Sequence, residues 1–149
     1  MLLQGKVALI TGAASERGIG RATAEIFAQQ GAKVIIVDLD LAQSQHAAKA
    51  LGEGHLGLAA NVANEEQAHA AVEQALQYYG KIDILVNNAG YGIAGTVVDT
   101  SEDDWNALMA VNVNGVYLGC KHAIPVMEKQ GGGVIVNTAS TVAKVGITN

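Results

Sequence analysis

The sequence predicts an α/β protein built on a doubly wound parallel sheet, and three observations carry that expectation. Short runs rich in Val, Ile and Leu alternate with longer segments of helical pattern along the whole chain. Each short run is almost continuous in apolar residues, which suits strands covered by helices on both faces. The first run passes through a glycine-lined turn directly into a helix, a junction that presents backbone N–H groups and a positive helix end to an anion.

Five strands are expected, over residues 6–11, 33–38, 55–60, 82–86 and 134–138. Between the first two, residues 20–30 place Ala24, Phe27 and Ala28 at helical spacing and stop at Gly31. Residues 41–51 form a second, weaker helical pattern. A third starts at Asn64, whose partner Gln67 three residues on resembles a capping box, and puts Ala68, Val72, Ala75, Leu76 and Tyr79 on one face before Gly80 ends it. From Ser101 to about Gln130 runs one long helix, opened by Glu102, Asp103 and Asp104 where the helix dipole favours negative charge. Trp105, Leu108, Val116, Cys120, Ile124 and Met127 form its expected buried stripe, and Pro125 should kink it near the end. No repeat, linker or low-complexity segment divides the 149 residues, so a single domain over 1–149 is expected.

Composition narrows the function classes. Half the residues are hydrophobic and 15% are charged, with 18 glycines and one proline, which suits a layered globule and argues against disorder. The formal charge of −5, with nine scattered Lys and Arg, offers no cationic track for a nucleic acid. Cys120 is the only cysteine, so an internal disulfide is excluded and a reducing, cytoplasmic setting is favoured. No signal-peptide pattern or membrane-length apolar run appears, and His46, His55, His69 and His122 lack metal-ligand spacing, so neither membrane nor metal is expected.

The chemistry starts at the turn Thr11-Gly12-Ala13-Ala14-Ser15-Glu16-Arg17-Gly18-Ile19-Gly20. The second strand then ends in Asp38, eighteen residues beyond Gly20, where a dinucleotide fold places a carboxylate against the adenosine ribose. Such a carboxylate also repels the 2′-phosphate of NADP, by on the order of 4 kcal/mol at about 4 Å in an effective dielectric near 20. NAD is therefore the expected cofactor and NADP the less favoured one. Arg17 pulls the other way, since a guanidinium beside the turn can bind a phosphate with two parallel hydrogen bonds. The bland alternatives are an N-cap role for Asp38 and a solvated loop charge for Arg17.

Further motifs follow in order: Asn61-Val62 after the third strand, Asn87-Asn88-Ala89-Gly90 after the fourth, Val111-Asn112-Val113 in the long helix, and Asn137-Thr138-Ala139-Ser140 after the fifth. Taken together with the Thr-Gly turn, the chain resembles the short-chain dehydrogenase/reductase family over essentially its whole length. The resemblance implies a Rossmann-like fold in which Thr11, Gly12, Ser15, Gly18, Ile19 and Gly20 surround the pyrophosphate and neighbouring ribose. It implies that Asp38 holds the adenosine ribose, that Asn61 and Val62 address the adenine edge, and that Asn88, Ala89 and Gly90 line the cofactor and brace the sheet. Asn61 departs from the family, which usually has Asp there, so its amide oxygen would have to accept the adenine amino proton. Asn112 would bind a water of a proton relay and Ser140 would hydrogen-bond the substrate carbonyl or hydroxyl. Asn112 falls on the expected buried stripe, four residues after Leu108, where an unpartnered amide costs ~1–3 kcal/mol.

Two departures qualify the resemblance. Five residues separate Gly12 from Gly18 where the family usually has three, which loosens the alignment of Ser15 and Arg17. The family's Tyr-x-x-x-Lys pair, which supplies the general acid/base and a lysine that lowers its pKa, falls further along than Asn149. The chain is thus expected to be the front portion of its fold, to lack the later strands, and to be nearly inactive alone. The expected function of the parent is hydride transfer between a nicotinamide and a secondary alcohol or ketone, in a homodimer or homotetramer. A non-catalytic dinucleotide-binding module and a methyltransferase binding adenosylmethionine are the alternatives.

Overall fold

A computed structural model describes residues 1–145, and residues 146–149, including the chain's last residue Asn149, lie outside it. Five parallel strands are ordered β3-β2-β1-β4-β5: β1 Val7–Thr11, β2 Lys33–Asp38, β3 Leu56–Ala59, β4 Ile84–Asn87 and β5 Val134–Asn137. The helices are α1 Ile19–Gln29, α2 Leu41–Ala50, α3 Glu65–Tyr79, α4 Glu102–Met109 and α5 Gly115–Lys129. The sheet grows outward from β1 in one direction through β2 and β3 and then reverses to add β4 and β5. That reversal leaves a crevice beyond the ends of β1 and β4, where doubly wound sheets bind ligands.

Strand alternation divides the core. Ala8, Ile10, Val34, Ile36, Ile84 and Val86 pack with Ala24, Ala47 and Ala48 of α1 and α2 on one face. Val7, Leu9, Ile35, Val37, Leu58 and Leu85 pack with Ala71, Val72 and Ala75 of α3 and Ala123 and Met127 of α5 on the other. The three central strands are covered on both faces as their apolar runs require. The edge strand β5 is not, since Val134 and Val136 are 58% and 47% exposed and only Ile135 packs into the core among the described residues.

The long helical run departs from expectation at its middle. Residues Ala110–Asn114 form a π-helical turn, which contains Asn112, between α4 and α5. Such a turn takes one residue more than an α turn and advances the phase of everything after it. The buried positions after it are Gly115, Leu118, Ala123 and Met127, whereas Trp105 and Ile124 of the expected stripe are exposed and Leu108, Val116 and Cys120 half-buried. Pro125 lies inside α5, which continues to Lys129 beyond it.

Two histidines sit where protonation opposes the fold. Nδ1 of His55 accepts the Val34 N–H at 3.0 Å, and burial followed by the Lys33 charge holds its pKa below the ordinary 6.5. His122 of α5 is lowered by burial first and then by His69 and Lys121, against a smaller pull from Glu65, whose Oε1 lies 3.9 Å from its Nε2, and that buried nitrogen makes no hydrogen bond among the described residues. Below 6.5 the unfolded chain therefore binds more protons than the folded one, so stability is whole above that pH and falls as pH drops towards the lowered folded values. The urea midpoint is expected to fall between about pH 7.5 and about pH 5.5, and to fall less in a His55→Asn/His122→Leu variant, in which neither site titrates.

Candidate functional site

The ends of β1 and β4 are laced together across the crevice. Oγ1 of Thr11 accepts the N–H groups of Asn88 and Ala89, both at 3.0 Å, and donates to the Val86 carbonyl at 3.4 Å. In return Nδ2 of Asn88 donates to the carbonyls of Thr11 and Gly12, both at 3.0 Å. Thr11 and Asn88 are thus occupied with bracing, and what they offer a ligand is the shape of the turn between them.

Gly12 enables this closeness. Its φ of +66° suits glycine, and a Cβ there would stand 2.7 Å from the Ala89 Cα. A Cβ on Gly20 would lie 2.6 Å from both the Asn88 amide nitrogen and the Gly12 carbonyl. The turn then delivers Gly18, Ile19 and Gly20 to the start of α1. Side chains cap the other helices that begin from loops, with Asp40, Asn64 and Ser101 accepting from the first turns of α2, α3 and α4. The first turn of α1 has no side-chain cap, so its N–H groups are left for an incoming acceptor.

A cleft of about 370 Å³ opens beside this turn, lined by Gly12, Val37, Asp38, Leu39, Ala60, Asn61, Val62, Ala89, Gly90, Tyr91 and Val111. Asp38 stands at its rim with Oδ2 accepting the Ala14 N–H at 3.0 Å and Oδ1 accepting the Leu39 N–H at 2.9 Å. The N-cap of α2 is Asp40, not Asp38, which disposes of the bland reading of Asp38. Asn61 is held twice, its N–H donating to Gln67 Oε1 at 2.8 Å and its Oδ1 accepting the Ala63 N–H at 3.0 Å. Gln67 therefore reaches back past Asn64 to Asn61, and Asn61 Oδ1 has one lone pair left for a ligand. Val62 is pressed against Gly115 of α5, where a Cβ would approach its Cγ2 to 2.8 Å.

Six of the sequence-predicted positions, Gly12, Asp38, Asn61, Val62, Ala89 and Gly90, share this cleft. Val111, from the motif around Asn112, also lines it, as do Tyr91, Leu39 and Ala60, which were not singled out from the sequence; the signal available was adjacency to the Asn87–Gly90 motif and to the ends of the second and third strands. Ser15 and Arg17 are exposed and line a separate recess with Ala14, Glu16, Ala42, Gln43 and His46.

Asn112 follows Val111 in the π turn, half-buried rather than deep in a core stripe. Its Oδ1 accepts the Tyr91 N–H at 3.1 Å and its Nδ2 donates to the Tyr91 carbonyl at 2.8 Å. Both ends of the amide thus hold the chain leaving β4, and Gly90 lets it approach, since a Cβ there would meet Asn112 Oδ1 at 3.0 Å. Ser140 lies exposed just past β5 and caps the short 3-10 turn Thr141–Ala143, accepting the Val142 N–H at 3.4 Å. It stands outside the cleft that contains Asp38.

A Tyr-x-x-x-Lys spacing does occur within the described residues, at Tyr117 and Lys121, but it belongs to another surface. Lys121 pairs with Glu65 of α3, and its Nζ lies 6.0 Å from the Tyr117 ring centre. Among the described residues no group of three or more His, Cys, Asp or Glu is placed to hold a metal, and no helix is long and apolar enough to cross a membrane.

The strand order, the glycine turn at the reversal and the cleft beside it define a Rossmann-like, doubly wound α/β protein. More narrowly, the short chain dehydrogenase family model matches residues 6–149, and the chain belongs to that family. It is 43% identical to the 3-oxoacyl-(acyl-carrier-protein) reductase of Thermotoga maritima over 150 residues, covering 98% of this chain and 60% of the relative. Among solved structures it is similar to the 3-ketoacyl-(acyl-carrier-protein) reductase of Brucella melitensis complexed with NADH, at 44% identity and a TM-score of 0.89 over 95% of this chain and 60% of that one. A short chain dehydrogenase/reductase of Burkholderia phymatum in complex with NAD superposes with a TM-score of 0.92 at 35% identity, over 100% of this chain and 54% of that one. The chain spans about six tenths of the length of the curated relatives it matches.

Proposed function

We propose that residues 1–149 form a single dinucleotide-binding unit of an NAD-dependent oxidoreductase that interconverts a secondary alcohol and a ketone. The observation that carries this reading is the uncapped, glycine-lined start of α1, which opens at the sheet reversal beside a cleft rimmed by Asp38. The space a Cβ would fill at Gly12 and Gly20 is taken up by the close turn, and with the Gly18 N–H donating to the Ser15 carbonyl, the N–H groups of Ile19 and Gly20 are the ones available to a pyrophosphate. Asp38 would hold the adenosine ribose, Asn61 and Val62 the adenine, and Ala89 and Gly90 the chain of the cofactor towards its reactive end. The nicotinamide, when bound, supplies the hydride acceptor or donor. Ser140 would hydrogen-bond the substrate oxygen. Asn112 would bind a water of a proton relay, with an amide that also holds the Tyr91 main chain at both ends.

Asp38 at the cleft rim and Arg17 in the other recess favour NAD over NADP. The relatives bound to NAD and NADH support the same choice. Titration calorimetry of the 149-residue chain with NAD, NADP and adenosylmethionine tests it. NAD is expected to bind at least about tenfold more tightly than NADP, and Asp38→Ala to weaken NAD by roughly 10- to 100-fold, the worth of a charge-assisted hydrogen bond. Tighter binding of NADP would transfer the choice to Arg17, and binding of adenosylmethionine alone would remove the dehydrogenase reading.

The setting is cytoplasmic, and the protein is a homodimer or homotetramer, with Trp105, Val113, Tyr117 and Ile124 as the exposed apolar residues of the α4–α5 run that a partner would cover.

A further inference from the structure

Asn61 presents the cleft with a hydrogen-bond donor as well as an acceptor. It lies two residues past β3, where the Ala60 N–H donates to the Asp38 carbonyl at 2.8 Å, so it stands one strand beyond the carboxylate assigned to the ribose. The walls around it, Leu39, Ala60, Val62 and Val111, carry no side-chain donor or acceptor. Of the three polar side chains that line the cleft, Asp38 sits on β2 and Tyr91 follows β4, which leaves Asn61 to read the edge of a flat ring held by those walls.

The two ends of the Asn61 amide differ in what they have left to give. Oδ1 accepts the Ala63 N–H at 3.0 Å, which fixes that end as the oxygen and leaves it one lone pair. Nδ2 makes no hydrogen bond among the described residues and is open to solvent. The Val62 N–H next to it is likewise without a partner among the described residues. A carboxylate at this position would offer acceptors only.

We propose that Asn61 is a specificity-determining residue that lets the cleft take a dinucleotide whose base is a 6-oxopurine as well as one whose base is adenine. The inference deepens, and rests on, the reading of the cleft as a dinucleotide site. Adenine shows an amino donor beside ring acceptors, whereas a 6-oxopurine shows two acceptors, O6 and N7, side by side. The free lone pair of Oδ1 takes the adenine amino group, and a ring nitrogen is left for Nδ2 or the Val62 N–H. Nδ2 and the Val62 N–H together match O6 and N7. A carboxylate keeps the first pairing but turns a negative oxygen towards O6, and once the base has displaced water nothing relieves that mismatch.

Titration calorimetry with NAD and with nicotinamide hypoxanthine dinucleotide, its 6-oxo counterpart, compares the two bases in the unaltered protein and in Asn61→Asp. The unaltered protein is expected to bind the two within about threefold of each other. Asn61→Asp, which keeps an oxygen for the Ala63 N–H, should prefer NAD by about tenfold or more, the equivalent of one mismatched hydrogen bond. Asn61→Ala removes both ends of the amide and should weaken both ligands by roughly tenfold with their ratio kept. Each ratio is taken within one protein, so a loss of overall stability does not distort it.

A preference for NAD of about tenfold or more in the unaltered protein would overturn the proposal, as would the same ratio in Asn61→Asp. Where Asn61→Asp does not fold, Asn61→Ala decides, and unchanged affinity for both ligands sinks the role of Asn61. Binding of neither ligand to the unaltered protein removes the dinucleotide reading and this inference with it. Binding of both with a ratio that Asn61→Asp does not move removes the role of Asn61 alone.

Discussion

Gly12→Ala is expected to remove about 3 kcal/mol or more of folding stability and to abolish dinucleotide binding at ordinary concentrations. Two costs combine. A non-glycine residue at φ +66° is strained by about 1–2 kcal/mol. The new methyl group would also stand 2.7 Å from the Cα and 3.1 Å from the nitrogen of Ala89, main-chain atoms pinned by the Thr11 hydroxyl and unable to withdraw singly. Gly80→Ala is the internal control, because Gly80 has φ +74° with nothing within 4 Å of a Cβ. Urea unfolding of the pair isolates the close approach from the backbone strain. Equal losses in the two variants would show that the approach of β1 to β4 at Gly12 has no energetic weight.

Thr11→Val is expected to cost about 3 kcal/mol although it preserves the size and shape of the side chain. The hydroxyl serves three groups at once, and Val leaves the N–H groups of Asn88 and Ala89 without their acceptor. Each buried donor left unpaired costs about 1–3 kcal/mol, and local relaxation returns part of it. Thr11→Ser, which keeps the oxygen, should lose about 1 kcal/mol or less. Calorimetric unfolding of the two variants distinguishes the hydroxyl from the methyl group, and indistinguishable midpoints would refute the bracing role.

The sequence revealed the sheet because the apolar runs and their glycine stops are local properties. Asp38 and the Gly12–Gly20 turn were legible for the same reason, since each sits at a junction whose chemistry is written in neighbouring residues. The Thr11–Asn88 lacing was not, because it joins residues 77 positions apart and neither side chain is unusual by itself. The later half of the stripe misled because helical periodicity assumes an unbroken α ladder, while Trp105, ahead of the π turn, lies on α4, which buries none of its residues. Asn112 illustrates both sides: its motif marked it, but its two bonds to Tyr91 were invisible until β4 and the π turn were brought together. Ser140 was legible as a residue following a strand, whereas the exposure of Val134 and Val136 on that strand among the described residues was not, because an apolar run does not say which of its faces finds a cover.

The bond from Asp38 to the Ala14 N–H has a kinetic meaning on the proposed reading. It ties the tip of the glycine turn to the sheet before any cofactor arrives, so little of the turn's disorder remains to be lost at the moment of capture. Ligands that must first organise their own receptacle bind slowly and with an entropic penalty, and this one is spared both. The same carboxylate that selects the ribose would thereby also hasten its arrival.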